Sequence, residues 1–144
     1  MFEVNIYIET SYRGLKPKGG FYWAIVECQT SKGPVEVDRK GYIPEVNGNR
    51  LEVIALEQAL ETLKKPCNIT IYTDSTYLHR AFSQDWISKW KSNDWQTFSG
   101  EPVKNEDIWK KIAEKMTLHS ATTRLSEDHS YKKAMKFEME KKKA

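Results

Sequence analysis

The sequence predicts an α/β fold, a mixed β-sheet covered by helices. Early in the chain, Val4, Ile6 and Ile8 alternate with Asn5, Tyr7 and Glu9, the period-2 pattern of a strand. Two further strand patterns follow before any long helical one. A strand around Ile71 then sits between helical segments. Strands that first run together and then alternate with helices fit a mixed sheet with helices packed on it. A length of 144 residues suffices for one domain with a sizeable core, so residues 1–144 are read as a single domain.

The first strand ends at Glu9, and a loop rich in Gly, Pro and Lys follows over 13–20. Residues 21–29 and 34–42 read as strands, and Ser31-Lys32-Gly33 between them suggests a hairpin. After Pro44 and Asn47-Gly48-Asn49, a helix is expected over 50–65, ended by Pro66. Around Ile71, β-branched and aromatic residues give a strand that ends at Asp74, and Ser75 is a plausible N-cap for a short helix. A Trp-rich helix over 84–91 and a loop over 92–103 come next. Asn105 is placed to cap a helix running to about Met116. A last short strand over 121–125 and a last helix over 130–143 complete the chain.

Apolar residues make up 39% and charged residues 30%, the balance of an ordinary globular protein. The net charge of +3 points only weakly to a polyanionic partner. Cys28 and Cys67 have neither CxxC nor zinc spacing, which fits a reducing compartment. No apolar run approaches the ~18–20 residues a membrane span needs, and no basic-then-apolar leader opens the chain. A cytoplasmic monomer without membrane contact is therefore expected.

Four acids stand where acids are unusual. Ala55, Leu56, Ala59, Leu60 and Leu63 share the helix face of Glu52, so Glu52 lies on the stripe that should be buried. In the last helix Glu138 lies among Tyr131, Ala134, Met135 and Met139, whereas Glu140 points away. Such an acid can also be a helix end reaching solvent. Glu9 and Asp74 each end a strand, on the faces of Tyr7 and Tyr72. Asp74 can also be a helix cap. If the two strands are parallel neighbours, the two acids lie side by side and repel unless a cation intervenes. Oxygen donors without a Cys or His cluster suit Mg²⁺ or Mn²⁺. Two such ions ~4 Å apart are a common apparatus for phosphodiester hydrolysis.

Many motifs in sequence order resemble ribonuclease H of the type 1, bacterial-like class. They are Ile8-Glu9-Thr10-Ser11, Gly19-Gly20-Phe21 with Ala24-Ile25, and Asn49-Arg50-Leu51-Glu52. Tyr72-Thr73-Asp74-Ser75 with Tyr77 follows, then Trp86-Ile87, Trp90, Trp95, Pro102-Val103-Lys104-Asn105 and Trp109. The resemblance implies a ribonuclease H-like fold: a five-stranded mixed sheet, second strand antiparallel, flanked by helices. It implies cleavage of the RNA strand of RNA–DNA hybrids with two Mg²⁺ ions, for which Mn²⁺ can substitute. Glu9, Glu52 and Asp74 match three metal-binding catalytic acids, and Glu138 is taken as the fourth. His129 matches a mobile-loop histidine that assists proton transfer or product release. Nucleic-acid contacts are implied for Ser11, Asn49, Thr76, Trp86, Lys89 and Lys104.

The chain departs from the family pattern in several places. Its first acid is Glu9, where the family has Asp, and Thr10 replaces a Gly. Gly48 stands where Asn is usual, and Thr76 where Gln is usual. The last segment lacks a Gly-rich loop, and its fourth acid is Glu. The Trp-rich segment, the handle that is basic in the family, has five Lys and five acids over 84–111. Its Trp residues can simply pack the handle. Lys132, Lys133, Lys136 and the tail lysines offer other phosphate contacts or a solvated face. Two readings compete: an active metal-dependent hybrid nuclease, and a weakened or inactive domain that binds nucleic acid or a protein. A nuclease or integrase acting on DNA is a third, disfavoured by the handle motif.

Overall fold

The structure, a computed structural model, describes residues 1–143; Ala144 lies outside it. Strand β1 (Phe2–Thr10) is followed by the long hairpin of β2 (Lys18–Thr30) and β3 (Gly33–Val46). Helix α1 (Gly48–Leu60), strand β4 (Cys67–Thr73) and helices α2 (Thr76–Ser83), α3 (Trp86–Ser92) and α4 (Glu106–Met116) come next. Strand β5 (Ser120–Leu125) and helix α5 (Lys132–Lys143) close the chain. The sheet order is β3-β2-β1-β4-β5. Strand β2 is antiparallel to both neighbours, and β1, β4 and β5 are parallel. This is the five-stranded mixed sheet that the sequence predicts.

The sheet's two faces are covered unequally, and that places the site. Val4, Ile6 and Ile8 point into the main core, with Leu51, Leu56 and Leu60 of α1, Leu78 of α2 and Trp109 of α4. Tyr7 and Ile25 point to the other face, where Met135 of α5 covers them. Strand alternation thus sends one side of β1 to α1 and the other to α5. Acids from both faces can meet only where the strands end.

Several boundaries differ from the sequence reading. Helix α1 stops at Leu60, well before Pro66, because Thr62 Oγ1 donates to the Ala59 carbonyl and the chain turns there. Strand β3 continues through Pro44, which an edge strand tolerates because its N–H need not enter a ladder. Asn105 occupies the N-cap position of α4 but makes no cap bond. Its side chain instead donates to the Tyr77 hydroxyl at 3.3 Å and accepts from Arg50 at 3.3 Å. Among the described residues no helix is long and apolar enough to cross a membrane.

Candidate active site

Strands β1 and β4 pair in parallel with Tyr7 opposite Tyr72, so Glu9 and Asp74 emerge next to each other two residues further on. Ser75 caps α2, its Oγ accepting from Leu78 N at 3.1 Å, so Asp74 is free of that duty. Glu52 reaches the same place from the second turn of α1 and is fully buried. Thr73 Oγ1 donates to Glu52 Oε1 at 2.5 Å. Glu52 Oε2 is buried without a hydrogen-bond partner. A buried carboxylate oxygen left unpaired is costly, and such atoms mark places built for something else.

Three cations surround the three acids. Arg13 lies 3.6 Å from Glu52 Oε2 and 3.9 Å from Asp74 Oδ2. Lys136 Nζ donates to Asp74 Oδ2 at 2.6 Å and lies 3.5 Å from Glu9 Oε1. Lys132 Nζ lies 3.5 Å from Asp74 Oδ1. Gly48 positions the arginine: its N–H donates to the Gly14 carbonyl, and a Cβ at 48 would meet the Arg13 backbone at 2.4 Å. That accounts for glycine where the family pattern has Asn.

The electrostatics follow from burial and these neighbours. Burial, then the charge of Asp74, pushes the Glu9 carboxyl up to about 7 against the pull of Lys136 and Arg13. Burial likewise raises the Glu52 carboxyl. Burial acts upward on Asp74 too, but the hydrogen bond and charge of Lys136, with Lys132 and Arg13, outweigh it and hold this carboxyl low. Among the described residues no three acids close into a group that could hold a metal ion; Arg13 and Lys136 each bridge a pair of them instead.

Against known proteins, the family model for ribonuclease H matches residues 2–133. This chain belongs to the ribonuclease H family. A protein named Ribonuclease H from Chlorobium phaeobacteroides (strain BS1) is 40% identical over 128 residues, covering 89% of this chain and 84% of that one. Among solved structures, LC9-RNase H1, a type 1 RNase H with the type 2 active-site motif, superposes with a TM-score of 0.72 at 20% identity. The match covers 90% of this chain and 65% of that one. LC11-RNase H1, crystallised with an RNA/DNA hybrid, matches with a TM-score of 0.56 at 15% identity, covering 85% and 86%. Family membership makes the chain a nuclease by descent.

In this chain Glu138 does not join the other acids. It is half-buried against the β2–β3 surface, beside Phe21, Trp23 and Tyr42, and pairs with Lys141 at 3.5 Å. This placement gives no support to the sequence reading of Glu138 as fourth metal ligand. Helix α5 seats Met135 and Met139 in the core, and Lys132 and Lys136, one turn apart, face Asp74. Glu138 falls on the far side of that lysine stripe. Glu138→Gln should leave hybrid cleavage within about twofold of the natural protein, where loss of a metal-ligating carboxylate would cost several kcal/mol of charge stabilisation. A single-turnover assay reads the difference.

The remaining predicted residues divide. His129 stacks on Tyr7 at 4.3 Å between ring centroids, and its Nδ1 accepts from Tyr131 N, so it is held on the α5 face beside the acids. Burial, then Lys132, lowers its pKa. Asn49 and Thr76 line a cleft of about 130 Å³ with Arg13 and Asp74. Ser11 is buried and its Oγ accepts from Phe21 N at 2.8 Å, tying the end of β1 to β2. Trp86 packs in an aromatic ladder, 5.7 Å from Trp90, which in turn lies 5.4 Å from Trp109. Trp86 and Lys89 also line a cavity of about 510 Å³ beside fully exposed Phe98. Lys104 is exposed in the loop before α4. Sequence reasoning missed Arg13 altogether and met Lys132 and Lys136 as phosphate contacts or a solvated face, not as partners of the acids.

Proposed function

We propose that this chain hydrolyses the RNA strand of RNA–DNA hybrids, using a divalent cation held by Glu9, Glu52 and Asp74. One observation carries the reading: three carboxylates from three elements share the same cations at the strand ends, and Glu52 Oε2 is buried there without a hydrogen-bond partner. The donor set is oxygen only, which suits Mg²⁺ or Mn²⁺. When bound, such an ion supplies a Lewis acid for the phosphoryl oxygen and an activated water. The chain's own part is to hold the anionic oxygens together, to brace Glu52 through Thr73, and to present cations. Lys132, Lys136 and Arg13 offer positive charge to the scissile phosphate, and Asn49 and Thr76 edge the cleft beside Asp74. The hybrid in LC11-RNase H1 supports the choice of substrate. A two-ion form of the reaction needs a fourth carboxylate, and Glu138 does not favour it. We also propose a single domain over residues 1–144, acting as a cytoplasmic monomer, in keeping with two free cysteines.

The same lysines favour a second reading, a hybrid-binding domain with little cleavage, because Lys136 already neutralises Asp74. Cleavage of a labelled RNA–DNA hybrid, double-stranded RNA and double-stranded DNA, each with Mg²⁺ and with Mn²⁺, separates the two. Metal-dependent cutting of only the hybrid's RNA strand is the expected result. Hybrid binding without cutting in either metal would select the second reading.

A further inference from the structure

We propose that Lys136 supplies the positive charge between Glu9 and Asp74 in place of a second divalent ion, so that this site takes one divalent cation. The inference rests on the reading of Glu9, Glu52 and Asp74 as metal ligands.

The two ends of the acid cluster are not equivalent. At one end Lys136 Nζ bridges two carboxylates, with a 2.6 Å charge-assisted hydrogen bond to Asp74 and 3.5 Å to Glu9. At the other end the only counter-charge on Glu52 Oε2 among the described residues is Arg13, at 3.6 Å and without a hydrogen bond. Arg13 and Lys136 are similarly exposed, at 42% and 48%, but Arg13 sits on a loop and Lys136 on a helix. A divalent ion entering the cluster displaces the loosely held guanidinium more readily than the hydrogen-bonded ammonium.

Lys136 is not a wandering surface lysine. Its helix is pinned by Met135 and Met139, both buried, and the Tyr131 hydroxyl just before the helix donates to Glu27 at 2.8 Å and to Glu36. Lys132, one turn earlier, is steered to Asp74 by a second bond, donating to the Glu127 carbonyl at 3.1 Å. Two ammoniums set by one helix therefore meet the acids as a fixed pair. Together they leave one of the three carboxylate charges, which Arg13 meets at 3.6 Å in the metal-free chain and a divalent ion meets once it displaces that guanidinium. A second ion would bring two more positive charges against both ammoniums, with no fourth carboxylate among the described residues to offset them.

The test counts ions. The intact chain is bound to a nuclease-resistant hybrid, 2′-O-methyl RNA paired with DNA, and titrated with Mn²⁺, free Mn²⁺ being followed by electron paramagnetic resonance. The natural chain should saturate at one Mn²⁺. Lys136→Glu, which puts a carboxylate one bond short of the ammonium's place, should saturate at two. Lys136→Met, which keeps the apolar stem, should bind its first Mn²⁺ at least tenfold more tightly. Thermal melts of both variants check that the fold persists, as expected for a half-exposed side chain. Two ions on the natural chain, or a Lys136→Met affinity equal to the natural one, would overturn the proposal while leaving the metal-ligand reading intact. No Mn²⁺ on the natural chain at millimolar concentration would overturn both.

Discussion

Asp74→Asn should lower hybrid cleavage by about 10³-fold or more while the chain stays folded. The carboxylate lies next to Glu9 through the β1–β4 register and is the acid on which Lys132, Lys136 and Arg13 all converge. Replacing it by an amide keeps the volume and removes the charge that a metal ligand must carry. Loss of several kcal/mol of charge stabilisation corresponds to a fall of that size. The fold should tolerate the change, because Ser75 and not Asp74 caps α2. It should nevertheless cost stability, about 1–2 kcal/mol, because three cations lose the anion that gathers them. Asp74 is thus unlike Glu9: its carboxyl is held low, so its ionised form supports the fold. A circular-dichroism melt with a single-turnover assay reads both effects. An Asn variant that cleaves within tenfold of the natural rate would remove Asp74 from the metal site.

How much of this was legible in the residues varies with the kind of signal. Strand pairing and helix stripes are periodic, so β1, β4 and α1 could be placed, and with them Glu9, Asp74 and Glu52. The prediction that Glu9 and Asp74 lie side by side needed only that the strands be parallel neighbours, and they are. Glu138 shows the limit of the same reasoning. Periodicity says which residues share a helix face with Met135 and Met139, but not which neighbour that face meets. Docking of α5 on β1 and β2 turns Lys132 and Lys136 to the acids and leaves Glu138 beside Trp23 and Tyr42. The i, i+4 spacing of the two lysines beside the Met stripe was the available clue. Arg13 carried none. It lies in an aperiodic loop, and its position depends on a backbone approach to Gly48 some 35 residues further along. Asn105 fails for a related reason. Its cap role was a local inference, whereas its side chain is taken up by Tyr77 and Arg50 from other elements.

The metal-free protein should lose stability as pH rises from about 4.5 to about 7, and Glu9→Gln should remove most of that loss. Glu9 is 4% exposed and sits beside Asp74, and its carboxyl titrates near 7 in the fold against 4.5 ordinarily. Between those values the folded chain holds a proton that the unfolded chain has released. Stability therefore falls with rising pH across that window and levels off above it. The shift corresponds to a cost on the order of 3 kcal/mol for carrying Glu9 ionised at pH 8. Glu52, raised by its own burial, acts in the same direction. Asp74 acts oppositely but at lower pH, since a carboxyl held low stabilises the fold above its ordinary value and loses that contribution only in stronger acid. The chelated protein should thus be most stable near pH 5. Glutamine at position 9 cannot ionise, so the variant should melt higher than the natural chain at pH 8 and similarly at pH 5. Millimolar Mg²⁺ or Mn²⁺ should raise the melting temperature of the natural chain at pH 8, because an ion that binds only the folded acids stabilises them by mass action. The same ions should do much less for the Gln variant, which has lost one ligand. Melts at pH 5 and pH 8, with chelator and with each metal, provide the measurement. If the natural and Gln proteins melt together at pH 8 in chelator, then Glu9 is already relieved by Lys136 and Arg13, and no metal ion is needed to settle its charge.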